Sequence, residues 1–259
     1  MRGFAITPRQ AQLVSRVIDE YIRTAEPVSS KAIAASGYFD VQSATIRNEM
    51  ADLEGAGYLE QLHTSGGRVP TARAYRLYVN GLLSSEGVTI SHASRRRMDE
   101  AVDEISVPPG DGPVSVRLAE AVNKVLARTV GQLSGSLVMA SISEQPDAYK
   151  FGLSNLLSFP EFRQMERLAG LTGFFDDFES MFGRMHRQMW GRDSGEVKVL
   201  IGTENPDERI KDETLICARY RLPGGNEGTL TLVGPMRMDY RKNIGLMTYA
   251  AQLANKISA

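Results

Sequence analysis

Arg47 and Asn48 stand side by side in the run Ser43-Ala44-Thr45-Ile46-Arg47-Asn48-Glu49-Met50-Ala51-Asp52-Leu53-Glu54. Both side chains are of the kind that read base edges, Arg on guanine and Asn on adenine. Spacing decides whether they can do so. Ile46, Met50 and Leu53 recur at helical intervals, so a helix through this run turns those three inward. The opposite face then offers Ala44, Thr45, Arg47 and Asn48, with Gln42 and Ser43 just before it and Ser43 as the expected cap. Short side chains at Ala44 and Thr45 permit close approach and contact with a thymine methyl. A recognition helix enters the major groove by its N-terminal end, where these residues lie. The same spacing also fits an ordinary solvated helix face, and spacing alone leaves both readings open.

A second group follows the helix. His63, Thr64, Ser65 and Arg68 flank Gly66-Gly67 between Tyr58-Leu59-Glu60-Gln61-Leu62 and Arg68-Val69-Pro70, the layout of a hairpin. Backbone N–H groups, hydroxyls and a guanidinium at such a turn can reach phosphate oxygens or a minor groove, although the pattern also fits a simple tight turn. Between Gln61 and Ser85 lie Arg68, Arg73, Arg76 and His63 and no acidic residue, in a chain whose net charge is only −1. That balance argues against a general polyanion binder. A local positive surface is expected instead.

The elements that must position these groups are legible in part. Thr7-Pro8-Arg9-Gln10 has the form of a capping box, and Leu13, Val14, Val17, Ile18, Tyr21 and Ile22 form one apolar stripe ending near Thr24. Ser29 is the expected cap of a second helix that runs through Ile33 to Gly37. Thr71 is the expected cap of a helix that carries Ala74, Tyr75, Tyr78 and Leu82 inward. Three helices, a hairpin and a helix make a winged helix-turn-helix over residues 1–83. Residues 84–113 read as linkers around a connecting helix marked by Met98, Val102 and Ile105, whose Arg95-Arg96-Arg97 is followed at once by acids and reads as solvated.

Residues 114–259 read as α+β. A long helix carries Leu118, Val122, Val125, Leu126, Thr129 and Leu133, and helical segments fall within Pro160–Trp190. Strands are expected at Leu137–Ile142, Val197–Ile201, Leu215–Tyr220 and Thr229–Val233, and a terminal helix carries Ile244, Met247, Ala251 and Ala254. An antiparallel sheet covered by helices follows from that order.

Composition excludes several functions. At 259 residues with 42% hydrophobic and 24% charged, the chain is an ordinary globular one. It has neither a membrane-length apolar run nor a secretory leader, so a cytoplasmic location and no membrane partner are expected. Its single cysteine, Cys217, forbids an internal disulfide, a cysteine zinc cage and a two-thiol redox cycle, and is expected to be buried. His63, His92 and His186 are far apart, no nucleophile elbow or phosphate loop occurs, and Asp176-Asp177 reads as solvated surface. The expectation is a protein without metal, cofactor or catalysis.

Several blocks of the chain also resemble a known family, the heat-inducible transcription repressor HrcA. They are Pro27-Val28-Ser29-Ser30, the Ser43 to Glu54 run, and His63-Thr64-Ser65-Gly66-Gly67-Arg68-Val69-Pro70-Thr71 with Tyr75-Arg76 and Tyr78-Val79. Beyond residue 150 the resemblance continues at Gly152-Leu153-Ser154-Asn155-Leu156-Leu157, Pro160-Glu161-Phe162, Ile201-Gly202-Thr203-Glu204 and Gly234-Pro235-Met236-Arg237-Met238-Asp239-Tyr240. It implies a homodimeric repressor on an inverted-repeat operator in double-stranded DNA upstream of chaperone genes, folded with help from the chaperonin GroEL and inactivated by heat shock. It further implies a GAF-like C-terminal domain interrupted by an inserted dimerising domain. This chain departs there, because only a few residues separate Ile142 from Tyr149-Lys150-Phe151-Gly152.

With that insertion missing, two apolar stretches are candidates for the dimer contact. One is the connecting helix with Met98, Val102 and Ile105. The other is Phe174, Phe175, Phe178, Met181, Phe182, Met185, Met189 and Trp190, which equally fits burial against the sheet. The alternative function is a winged-helix regulator that senses a small molecule in a GAF-like pocket.

Overall fold

Thr7 opens the first helix through the expected box. Its hydroxyl accepts from the Gln10 N–H at 3.2 Å and the Gln10 side chain accepts from the Thr7 N–H at 2.9 Å. Helix α1 (Pro8–Thr24) buries Leu13, Val14, Val17 and Ile18 and stops at Ala25, whose left-handed backbone returns its N–H to the Tyr21 carbonyl. The computed structural model describes residues 6–62, 66–84, 88–143, 148–190 and 197–258, apart from the side chains of 179–189.

Helix α2 (Ser30–Ala35) is capped by Ser29, and α3 (Ser43–Gly55) buries Ile46, Met50 and Leu53 as the periodicity requires. Ser43 is not its cap. Gln42 holds the extended N-cap position without a side-chain hydrogen bond, and Ser43 is already the first helical residue. Strands β1 (Leu59–Glu60) and β2 (Val69–Pro70) pair antiparallel, and an isolated bridge joins Val28 to Arg68 beside them. Helix α4 (Ala72–Ser84) buries Ala74, Tyr75, Val79 and Leu82. Tyr78, expected inside, is half-buried instead and donates its hydroxyl to Asp19 of α1 at 2.8 Å.

Two compact units result, Met1–Glu86 with Met236–Asp239, and Gly87–Pro235 with Tyr240–Ala259. Helix α5 (His92–Asp103), expected to connect the halves, is part of the second unit. Met98 at its centre is buried, and it packs on α6 (Val114–Ser134) and on the terminal helix. Arg95, Arg96 and Arg97 are exposed, with Arg96 paired to Glu100 and Arg97 bonded to Gln132.

The rest of the second unit is a five-stranded antiparallel sheet. Its strands are β3 (Leu137–Ile142), β4 (Tyr149–Phe151), β5 (Val197–Ile201), β6 (Glu213–Arg221) and β7 (Glu227–Pro235), in the order β4-β3-β7-β6-β5. Every residue of β3 is buried, so both sheet faces are covered. Helix α6 packs on β3, and α9 (Tyr240–Ile257), the terminal helix, packs on β6. Leu137, Met139, Leu215, Cys217 and Val233 turn to the other face. There they meet Leu156 of α7 (Leu153–Ser158) and Leu171, Phe174, Phe175, Phe178 and Trp190 of α8 (Met165–Trp190).

That packing decides between the two readings of the aromatic stretch for its described side chains. Phe174, Phe175, Phe178 and Trp190 are buried against the sheet inside their own unit, as the second reading expects. Met181, Phe182, Met185 and Met189 lie outside the described side chains. Strand β4 and helix α7 are additions to the elements expected from sequence. Asp177 is exposed and pairs with Arg209 at 2.8 Å, which ties α8 to the turn at Glu208–Ile210.

Candidate nucleic-acid interface

Helix α3 is held against α1 by packing and by an ion pair. Its apolar face lies in the core with that of α1, and Arg9 of α1 donates Nε to Glu49 at 2.9 Å. The rotation of α3 is therefore fixed, and Ala44, Thr45, Arg47 and Asn48 are left exposed.

Facing them is the hairpin. Arg68 and Val28 exchange backbone hydrogen bonds at 2.8 and 2.9 Å, which lays the wing along the segment leading into α2. Between these elements runs a groove of about 580 Å³ lined by Ser29, Ser43, Ala44, Arg47, Asn48, Gly66, Gly67 and Arg68, all expected from sequence. Val28, Ser30, Lys31 and Gln61 complete the lining, and no carboxylate is among them. Lys31 escaped the sequence reading. The signal for it is present, since a cap at Ser29 places Lys31 in the first turn of α2.

The remaining expected residues are elsewhere. Gln42 and Thr45 are exposed at the start of α3 but outside the groove lining. His63, Thr64 and Ser65 lie outside the described residues. Arg73 sits at the far end of α3, where Nη1 donates to the Ala56 carbonyl at 2.8 Å and the guanidinium stacks over Tyr58. A cation there satisfies a carbonyl at the helix C-terminus, so Arg73 is a structural cap. Arg76 is half-buried on α4, also away from the groove. The Arg68 guanidinium is held by Glu54 of α3 at 2.9 Å.

Two family models match the chain. A winged helix-turn-helix transcription repressor model, HrcA DNA-binding, covers residues 5–81, and the HrcA protein C terminal domain covers residues 86–244. The chain belongs to the HrcA family. Heat-inducible transcription repressors HrcA from Natranaerobius thermophilus and Halalkalibacterium halodurans are each 29% identical. The first match covers 96% of this chain and 95% of the relative, the second 97% of both. The HrcA protein of Desulforudis audaxviator is 26% identical over 97% of this chain and 98% of its own length. These alignments run over 336 to 340 positions, more than the 259 residues here, so the HrcA relatives carry internal stretches without counterpart in this chain. Consistent with that, residues 143–148 alone join the paired strands β3 and β4.

A crystal structure of a hypothetical protein shares the fold, with a TM-score of 0.75 at 18% identity over 97% of this chain and 98% of that one. HrcA family members are transcription repressors, which are non-enzymatic regulators, and the family favours heat-inducible repression over the small-molecule sensor. Among the described residues no helix is long and apolar enough to cross a membrane.

Proposed function

We propose that this chain represses chaperone genes by binding an inverted-repeat operator as a homodimer in the cytoplasm, and that heat shock releases it. The observation that carries this reading is the groove, where the exposed N-terminal turns of α3 face the glycine wing across a lining free of carboxylates. In it Arg47 and Asn48 read bases, while Ser29, Ser43 and the wing backbone bind phosphates. A monomer reads half a palindrome, so two copies on one duplex bind far more tightly than one. GroEL enters as the partner that restores the folded repressor after stress, an expectation from the family.

Selection from a random duplex library at a fixed salt concentration tests the reading. Recovery of a palindrome supports it, with half-sites about one helical turn or a multiple apart. A single unrepeated site, with a monomer in sedimentation of the full chain on DNA, would reject the dimer. No enrichment at all would reject sequence-specific binding.

A further inference from the structure

Among the described residues three cations line the groove, and the structure treats them differently. Arg68 has only 14% of its side chain exposed, with Nε on Glu54 at 2.9 Å, while its backbone is fixed to Val28. Its charge is matched inside the protein and its position is set by α3 on one side and the α2 approach on the other. Lys31 and Arg47 differ. Both are exposed, and neither makes a side-chain ion pair or hydrogen bond among the described residues. Arg47 lies on the exposed face of α3, whereas Lys31 lines the same groove from the first turn of α2, beside Ser29 and Ser30.

In a helix-turn-helix whose recognition helix meets the bases, the helix before it crosses the DNA backbone, which sets phosphates against the α2 side of this groove. Among the described residues the available cation on that side is Lys31, and the described lining holds no carboxylate to compete with a phosphate. We propose that Lys31 is the phosphate-binding cation of this groove, and that Arg68 is a positioning residue that holds the wing to α3 through Glu54. The proposal rests on the DNA-binding reading above. A point-charge ammonium suits a sequence-independent phosphate contact, and a planar fork engaged by a carboxylate suits a strut.

The test uses the full chain, a mixed-sequence duplex and the duplex recovered by selection, each titrated between about 50 and 200 mM salt. Lys31→Gln is expected to weaken both duplexes by the same factor and to make the log–log salt slope shallower by about 0.9 for each protomer bound. Lys31→Arg is expected to restore the slope. Arg68→Gln and Glu54→Gln are each expected to weaken binding with the slope unchanged, and the milder Glu54→Gln guards against misfolding of the first. An unchanged slope in Lys31→Gln overturns the proposal, as does a slope made shallower by Arg68→Gln but not by Glu54→Gln. If Lys31→Gln fails in this way while Arg47→Ala still alters base preference, the DNA reading stands without this inference. A wild-type chain that binds neither duplex removes both.

Discussion

Gly67 lies so close to Val28 that a Cβ on it would stand 2.5 Å from the Val28 carbonyl carbon and oxygen. The same Cβ would be 2.5 Å from the Pro27 carbonyl oxygen, so the backbone of this segment leaves no room for it. The wing and the approach to α2 can pair only because residue 67 has no side chain. Gly67→Ala must push the wing off Val28 and break the two backbone bonds made by Arg68. A loss of about 1–3 kcal/mol in unfolding free energy is expected, as for other overpacked sites. Denaturant titration reads that loss, and duplex affinity should fall with it. Wild-type stability and affinity in Gly67→Ala would show that the close approach is not kept in solution.

Arg47 makes a separate prediction, because it is exposed on α3 and its loss leaves the core untouched. Arg47→Ala should cost about 1–3 kcal/mol of binding to the selected duplex and relax preference at one position per half-site. Selection repeated with the variant checks this. Equal weakening on all sequences would make Arg47 a phosphate contact.

The parts of this architecture visible in the sequence are those with local causes. The Thr7 box, the Ser29 cap and the inward set Ile46, Met50 and Leu53 all act within one or two helical turns, and all lie where the sequence places them. Tyr78 departs from its expected place because Tyr78 and Val79 are both apolar and adjacent, so only the packing against α1 decides which one is inside. Strand β4 is too short for an alternation to register. The exposed face of α3 is legible for the same local reason as the caps. The Val28–Arg68 bridge and the Glu54–Arg68 pair depend on residues far apart in the chain, and no local period encodes them.

In the second unit, Glu213 is buried beside Arg167, whose Nη2 lies 2.7 Å from Oε1. Burial pushes its carboxyl up to about 7, against the pull of Arg167, and the nearby Asp212 and Glu161 push it further. The folded chain therefore holds a proton that the unfolded chain, with an ordinary carboxyl, has released. This group's contribution is fully present below its ordinary range near 4.5 and is lost as pH rises through about 7. Relative to wild type, Glu213→Gln should gain stability as pH rises from 5 to 8, by on the order of 3 kcal/mol at most. Paired denaturant titrations across that range check it. A constant difference between the two proteins would mean that Glu213 stays ionised in the fold.

Cys217 gives a site-specific view of the heat response without any substitution, because it is the one cysteine in the chain. It lies on β6 beneath α8, buried, with Sγ 3.7 Å from Thr231 Oγ1, and burial pushes its thiol up to about 12. A thiol closed off in this way, and held in its neutral form by burial, should resist Ellman's reagent near pH 8 while the sheet is closed. If heat acts by opening the second unit, labelling must accelerate over the same temperature interval in which the duplex is released. Parallel temperature ramps, one reading thiol labelling and one reading fluorescence anisotropy of a bound duplex, make the comparison. Coincident transitions place the heat-labile element in the sheet unit. Release of DNA while Cys217 stays protected would place it in the winged helix instead, since the sheet would then outlast the loss of binding.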